Sequence, residues 1–300
     1  MAAELEGRTA ATKEARKALL RQIHKAHAPL KGKHVADSAI HGARKQIKMA
    51  RATLRLLRTG LSKKGFRAQN ERLRDAAKPL SEARDATVLL STFDDLLDGQ
   101  ARGHGGSMQA IHDELTHERA RTRSTIVGKG GLADSRRLLR RACTQASKWH
   151  VGRNGWSVIG AGLGKVYGQG RDAFAAARET ATNTALHEWR KQVKYLRHQL
   201  RLLQPVQPDT LTRMVKELHE LGNHLGDDHD LAVLQVKMAT QPAQLANEPA
   251  QRRLGAKINR RRLSLQRRAM ELGSRLYEET PQQFCSRLRG YWHGWRRRPS

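Results

Sequence analysis

The sequence predicts an all-α fold in which two pseudo-twofold-related helical bundles, arising from an internal duplication, enclose a basic central channel. Three observations lead there. No segment of the 300 residues alternates apolar and polar side chains as a half-buried strand would. A basic helical motif occurs twice, as IHGARKQIKMARATLRLL at 40–57 and as LHEWRKQVKYLRHQLRLL 146 residues later, at 186–203. A further block follows each copy: LSEARDATVLL at 80–90 and LGDDHDLAVLQ at 225–235 align Leu80 with Leu225, Asp85 with Asp230 and Val88 with Val233. A period near 145 residues is too long for a solenoid and implies a duplicated half-domain.

Apolar periodicity places helices at about 10–28, 36–60, 66–77, 80–99, 107–127 and 132–150 in the first half. The second half reads as helices at about 156–179, 181–204, 210–224, 228–239, 245–280 and 282–295. Gly60 with Gly65, Pro79, GHGG at 103–106, Pro205 with Pro208, and Pro242 supply the breaks. GRNGW at 152–156 is the boundary, so one domain over 1–300 divides into halves 1–152 and 153–300.

Within the repeated helix, His41, Arg44, Lys45, Lys48, Arg51 and Arg55 match His187, Arg190, Lys191, Lys194, Arg197 and Arg201. The steps 41–44–48–51–55 alternate three and four and therefore share one helical face. Ile40, Ala43, Ile47, Ala50, Leu54 and Leu57 form an apolar stripe of the same spacing, as do Leu186, Trp189, Val193, Leu196, Leu200 and Leu203. Except at Leu203, each apolar position precedes a Lys, Arg or His, so the two stripes lie about 100° apart. A solvated face normally opposes the core; this cationic face flanks it. Gly42 costs about 1 kcal/mol against alanine in such a helix and suits a close approach by ligand or helix.

Charge sets the partner class. Lys and Arg number 57 against 28 Asp and Glu, a net +29, and such self-repulsion is relieved by a polyanion. A charged surface helix usually carries counter-charges three or four residues away. Here no acid occurs between Asp37 and Glu71, Asp134 and Asp172, Glu188 and Asp209, or Glu248 and Glu271. The partner must then supply the anions: nucleic acid, an anionic membrane or a polyphosphate. Cys143 and Cys285 have no zinc-type spacing and fit a reducing compartment. No apolar run reaches the ~18 residues that suggest a span, and the first residues lack a secretory apolar stretch. The expectation is a soluble intracellular protein with no membrane association.

These blocks resemble the CHAD family, the conserved histidine α-helical domain. The resemblance covers nearly the whole chain and rests on His-x-x-Arg-Lys-x-x-Lys at 41–48 and 187–194, Arg84-Asp85, and Leu-Gly-Asp-Asp-His-Asp at 225–230. GLGKVYGQGRDAF at 162–174 and SRLYEETPQQFCSRLRGYW at 274–292 also look like family segments. It implies two bundles about a basic pore that binds inorganic polyphosphate, in the cytoplasm or on polyphosphate granules; in a eukaryotic host a nuclear location is the alternative. By motif position, the repeated His, Arg and Lys residues would line the pore, joined by Lys165 and Arg171. Some members carry a triphosphate-tunnel enzyme domain, but its Glu-x-Glu-x-Lys signature is missing, since Glu4-Leu5-Glu6-Gly7-Arg8 ends in Arg. The expected function is therefore noncatalytic, with no cofactor and no metal, and the oligomeric state stays open.

Arg offers polyphosphate a planar fork and Lys a mobile point charge. His41 and His187 have two readings, ligand donors or structural ties between helix ends. Two other functions compete. GDDHDL at 226–231, with His219, His224 and His229 nearby, suggests a metal-dependent phosphohydrolase, but His229 aligns with Arg84, which cannot ligate a metal. Asp85 and Asp230 read better as helix-start acids or as orienting partners for a basic side chain. Nucleic acid, as a main or secondary partner, shares the phosphate chemistry. Against it, no zinc finger or RNA-recognition motif is present, and aromatic residues make up 4% of the chain.

Overall fold

The computed structural model describes residues 11–32, 35–97, 106–128, 130–149, 155–239 and 249–297. Among them are α-helices and short 3-10 turns and no strand. The first half holds α1 (Ala11–His27), α2 (Asp37–Leu56), α3 (Lys63–Leu96), α4 (Gly106–Gly128) and α5 (Gly131–Ser147). The second holds α6 (Trp156–Thr180), α7 (Asn183–Leu202), α8 (Pro208–Ala239), α9 (Pro249–Leu276) and α10 (Pro281–Arg297). Residues 4–8, 103–105, 152–154 and Pro242, used above as tail, breaks and boundary, lie outside the described residues.

Both series pack in one order. α1 lies on α2, α2 on α3 and α3 on α4, while α6 lies on α7, α7 on α8 and α8 on α9. α5 returns to α1, and α10 to α6. The series meet where α2 packs on α7 and α3 on α8.

Two expected breaks are continuous helix. Pro79 lies inside α3, where its missing N–H and ring clash cost about 3 kcal/mol. Leu73, Ala76, Leu80 and Ala83 carry the buried stripe straight across it. Burying the two leucines alone is worth about 1.5–3 kcal/mol each, enough to offset the proline. α8 likewise runs through Gly222 and Gly226 because Leu218, Leu221 and Leu225 are buried around them. At Gly226 a Cβ would stand at ordinary contact distance, 3.6 Å from the Arg190 guanidinium, so the glycine neither ends α8 nor is needed for the approach of α7. Gly162 acts more strongly. A Cβ there would fall 2.2 Å from the Leu56 carbonyl oxygen, so only glycine lets α6 rest on the end of α2.

The sequence boundary does not divide the core. One apolar cluster runs from Ala11 to Trp295 and includes Trp189, Tyr167, Phe284 and Trp292. Tyr167 stacks on Phe284 at 3.9 Å. A second cluster joins the far ends of α3, α4, α8 and α9 through Phe93, Ile111, Leu234 and Ile258. Buried Asp228 holds α9 to α8, accepting from Arg262 Nε at 3.0 Å and Gln266 Nε2 at 2.8 Å. No helix among the described residues is long and apolar enough to cross a membrane.

Gly42 has no neighbouring atom within 4 Å of an added Cβ, so no helix approaches it. Gly42→Ala should then raise stability by about 1 kcal/mol through helix propensity alone. Urea unfolding measures this; a lowered midpoint would show that the position needs glycine.

Candidate functional site

The four helices that join the halves, α2, α3, α7 and α8, surround a cavity of about 810 Å³. His41, Arg44, Lys45 and Lys48 face it from α2, and Ser81, Arg84 and Asp85 from α3. α7 contributes His187, Arg190, Lys191, Lys194, Arg197 and His198. His219, Asn223, Gly226, Asp227, His229 and Asp230 complete the wall from α8. Eight Lys or Arg side chains oppose three Asp, and five histidines stand among them.

The carboxylates orient cations. Arg44 donates to Asp85 Oδ1 at 3.1 Å and to the Ser81 carbonyl at 3.3 Å. Arg190 lies 4.0 Å from Asp230 Oδ1. Each pair links the repeated basic helix to the one after it, and of the cavity lysines Lys191 is held by Glu188 Oε1 at 2.7 Å. On the α8 side, Arg197 donates to His219 Nδ1 at 2.8 Å. The His187 and His229 rings stand 4.9 Å apart, tilted by 46°.

Crowded cations favour deprotonation. Burial, then Arg190 and Lys48, pushes the Lys194 ammonium down to about 6. Lys48 falls to about 8, through burial and then Arg44 and Arg190. Lys48 is the more solvent-accessible of the two, and water screens part of its repulsion, so the depression is firmest at Lys194. Burial with nearby cations also lowers His41 and His187. It brings His229 to about 4 and His198 to about 3. These imidazoles are neutral at pH 7 and able both to donate and to accept. Asp227 and Asp230 are raised by burial.

The remaining predicted residues lie elsewhere. Arg51 and Arg55 share the face of Lys48, but both bond to Asn70 Oδ1, and Arg55 stacks 3.9 Å above the Tyr195 ring. There α2 and α7 close on each other, with Gln199 donating to the Ala52 carbonyl at 3.0 Å. The cationic line on α2 therefore opens to the cavity only from His41 to Lys48, roughly 10 Å at ~1.5 Å per residue. Arg201 lies beyond His198, outside the cavity lining. Lys165 and Arg171 are exposed on α6, and Arg171 donates to the Tyr277 carbonyl. They do not join the cavity because α6 packs its glycine face against the end of α2 and against Tyr277.

His198 and Asn223 line the cavity but escaped the sequence reading, although periodicity contained them. His187, Lys191, Lys194 and His198 step by four, three and four. His219, Asn223, Gly226, Asp230 and Val233 do the same along α8. Among the described residues, no three His, Cys, Asp or Glu side chains are placed to hold a metal ion. No tryptophan among the described residues is exposed.

Comparison with known proteins adds two findings. The family model described as CHAD domain matches residues 14–239. The solved structure described as PptA from Streptomyces chartreusis superposes with a TM-score of 0.61 at 14% sequence identity, covering 91% of this chain and 100% of that one. At that identity the likeness is one of fold. No curated protein matches the sequence.

Proposed function

The chain belongs to the CHAD domain family, and we propose that it binds inorganic polyphosphate in the cavity between its halves without turning it over. The observation that carries this is the eight-to-three excess of Lys and Arg side chains over carboxylates in one space lined by both repeated helices. Polyphosphate presents repeated anionic oxygens and no bases. It therefore matches guanidinium forks and ammonium groups while asking nothing of aromatic rings. The lack of an exposed tryptophan among the described residues favours it over single-stranded nucleic acid, whose binders stack bases on aromatic platforms. His41 and His187 both face the cavity, which supports their reading as ligand donors. The noncatalytic part of the proposal follows the missing Glu-x-Glu-x-Lys signature and is tested directly by phosphate release. In the cell the protein would target or organise polyphosphate stores.

The test is a competition of long-chain polyphosphate against duplex DNA, RNA and orthophosphate at matched charge and salt. Polyphosphate should win, with affinity falling steeply as salt rises because each phosphate bound displaces counterions. At free ligand about 100 times its dissociation constant, the fold should gain up to roughly 2.7 kcal/mol, less whatever the basic unfolded chain binds. Equal competition by DNA, or a melting temperature indifferent to polyphosphate, would sink the reading. Phosphate release that disappears in His229→Ala would sink its noncatalytic part.

A further inference from the structure

The family match ends at residue 239, and the helix beyond it carries a dense band of exposed charge. α9 buries Leu254, Ile258, Leu265, Ala269 and Leu272. Its other side exposes Arg253, Arg260 and Arg267 in one series and Arg261, Arg268 and Arg275 in another. Steps of seven drift by only about 20° per repeat, so each series is a column and the two columns adjoin. From Arg253 to Arg275 they extend roughly 33 Å at ~1.5 Å per residue. The helix contains no acid before Glu271. Among the described residues, none of Arg260, Arg261, Arg267 and Arg268 forms a salt bridge.

α9 is held with this face outward. Arg262 points the other way, bonding Asp228, Gln235 and Asn183 at 3.0, 3.1 and 2.6 Å. Gln235 also donates to Asn259 at 2.8 Å. These bonds fix the rotation of α9 on α8 around one arginine, while its neighbours in the chain stay in solvent. α9 also meets the helix that walls the cavity. Asp227 lines that cavity, and Asp228 beside it accepts from Arg262, the chain neighbour of exposed Arg261.

We propose that the arginine face of α9 is a second polyanion-binding surface, an outer track along which a long polyphosphate chain continues after leaving the cavity beside Asp227. This rests on the polyphosphate reading of the cavity. The cavity wall on α2 is open for only about 10 Å, so a long chain must place most of its phosphates outside. Exposed Arg260, Arg261, Arg267 and Arg268 of α9 offer those phosphates further cations. A flexible single chain can follow both surfaces, whereas a rigid duplex can lie only on the outer one.

The full-length protein carrying Arg260→Gln, Arg261→Gln, Arg267→Gln and Arg268→Gln tests this against tripolyphosphate, long-chain polyphosphate and duplex DNA. Because all four side chains are exposed, folding should be unchanged by circular dichroism. Tripolyphosphate affinity should stay at the wild-type value. Long-chain affinity should fall roughly tenfold or more, and its log–log salt slope by about 0.7 for each phosphate that no longer meets an arginine. Unchanged long-chain affinity and slope would overturn the outer track, and so would a loss confined to duplex DNA. Lys48→Ala with Lys194→Ala, measured in parallel, separates the two ideas. If that pair weakens both polyphosphates while the α9 variant weakens neither, the cavity reading stands and the outer track falls. If wild-type protein binds neither polyphosphate, the cavity reading itself has failed.

Discussion

Combining Arg44→Ala, Lys48→Ala, Arg190→Ala and Lys194→Ala should lower affinity for long-chain polyphosphate by roughly a thousandfold or more. A hydrogen bond to a charged group contributes about 1.5–3 kcal/mol, so removing four cationic donors leaves room for that effect even with strong non-additivity. Arg44 with Lys48, or Arg190 with Lys194, should each cost much less alone, since the opposite wall still faces the ligand. The apolar stripes through Ile47 and Val193 are untouched and fully buried, so helicity should persist. Stability should shift by opposing effects: repulsion between the walls is relieved, while Asp85 and Asp230 lose the arginines they orient. Binding curves for wild type, both pairs and the quadruple variant, with melting curves beside them, give the answer. If one pair is silent in a folded protein, the ligand touches a single basic patch and the shared cavity is wrong.

Polyphosphate binding should also take up protons. Lys194 lies near 6 and Lys48 near 8 in the free cavity, and a bound phosphate stabilises the ammonium form of each. Affinity should therefore rise as pH falls from about 9 to 6, by roughly tenfold per unit where one lysine is being charged. The free protein should behave oppositely. A lysine depressed in the fold keeps its ordinary high value when unfolded, so between the two values the unfolded chain holds more protons. The lysine contribution to stability is thus undiminished above the unfolded value and is lost as pH falls through the folded one. Calorimetry at pH 7.5 in buffers of different ionisation enthalpy reads the uptake directly. Zero net uptake, or uptake equal to wild type in Lys48→Met with Lys194→Met, would remove these lysines from the ligand. Melting temperature without ligand should climb from pH 6 to 9, less steeply in that double variant.

Much of the candidate site was legible in the sequence alone. Duplicated spacing identified the faces of α2 and α7, because a helical period converts residue number into direction whatever surrounds it. The acid-free spans pointed to an anionic partner, because charge count is a property of composition. Neither says how far a face remains open. Arg51 and Arg55 keep the period of Lys48, yet Asn70 and Tyr195 occupy the space before them.

Pro79 and Gly226 carry real local penalties, but the buried leucines on either side outweigh them, a sum that depends on tertiary neighbours. Lys165 and Arg171 miss the cavity for the same kind of reason, since the glycines of α6 turn that helix toward α2 and Tyr277. His198 and the His219–Asn223–Gly226–Asp230 stripe had the required period, but only the packing of α8 on α7 showed which of its stripes faces the cavity. The sequence by itself determined helix, repeat, charge and the direction of each side chain about its own axis, all of which depend on residues a few positions apart. The tertiary structure decided where helices cross, which cations meet and how deeply they are desolvated, because those depend on atoms brought together from distant parts of the chain.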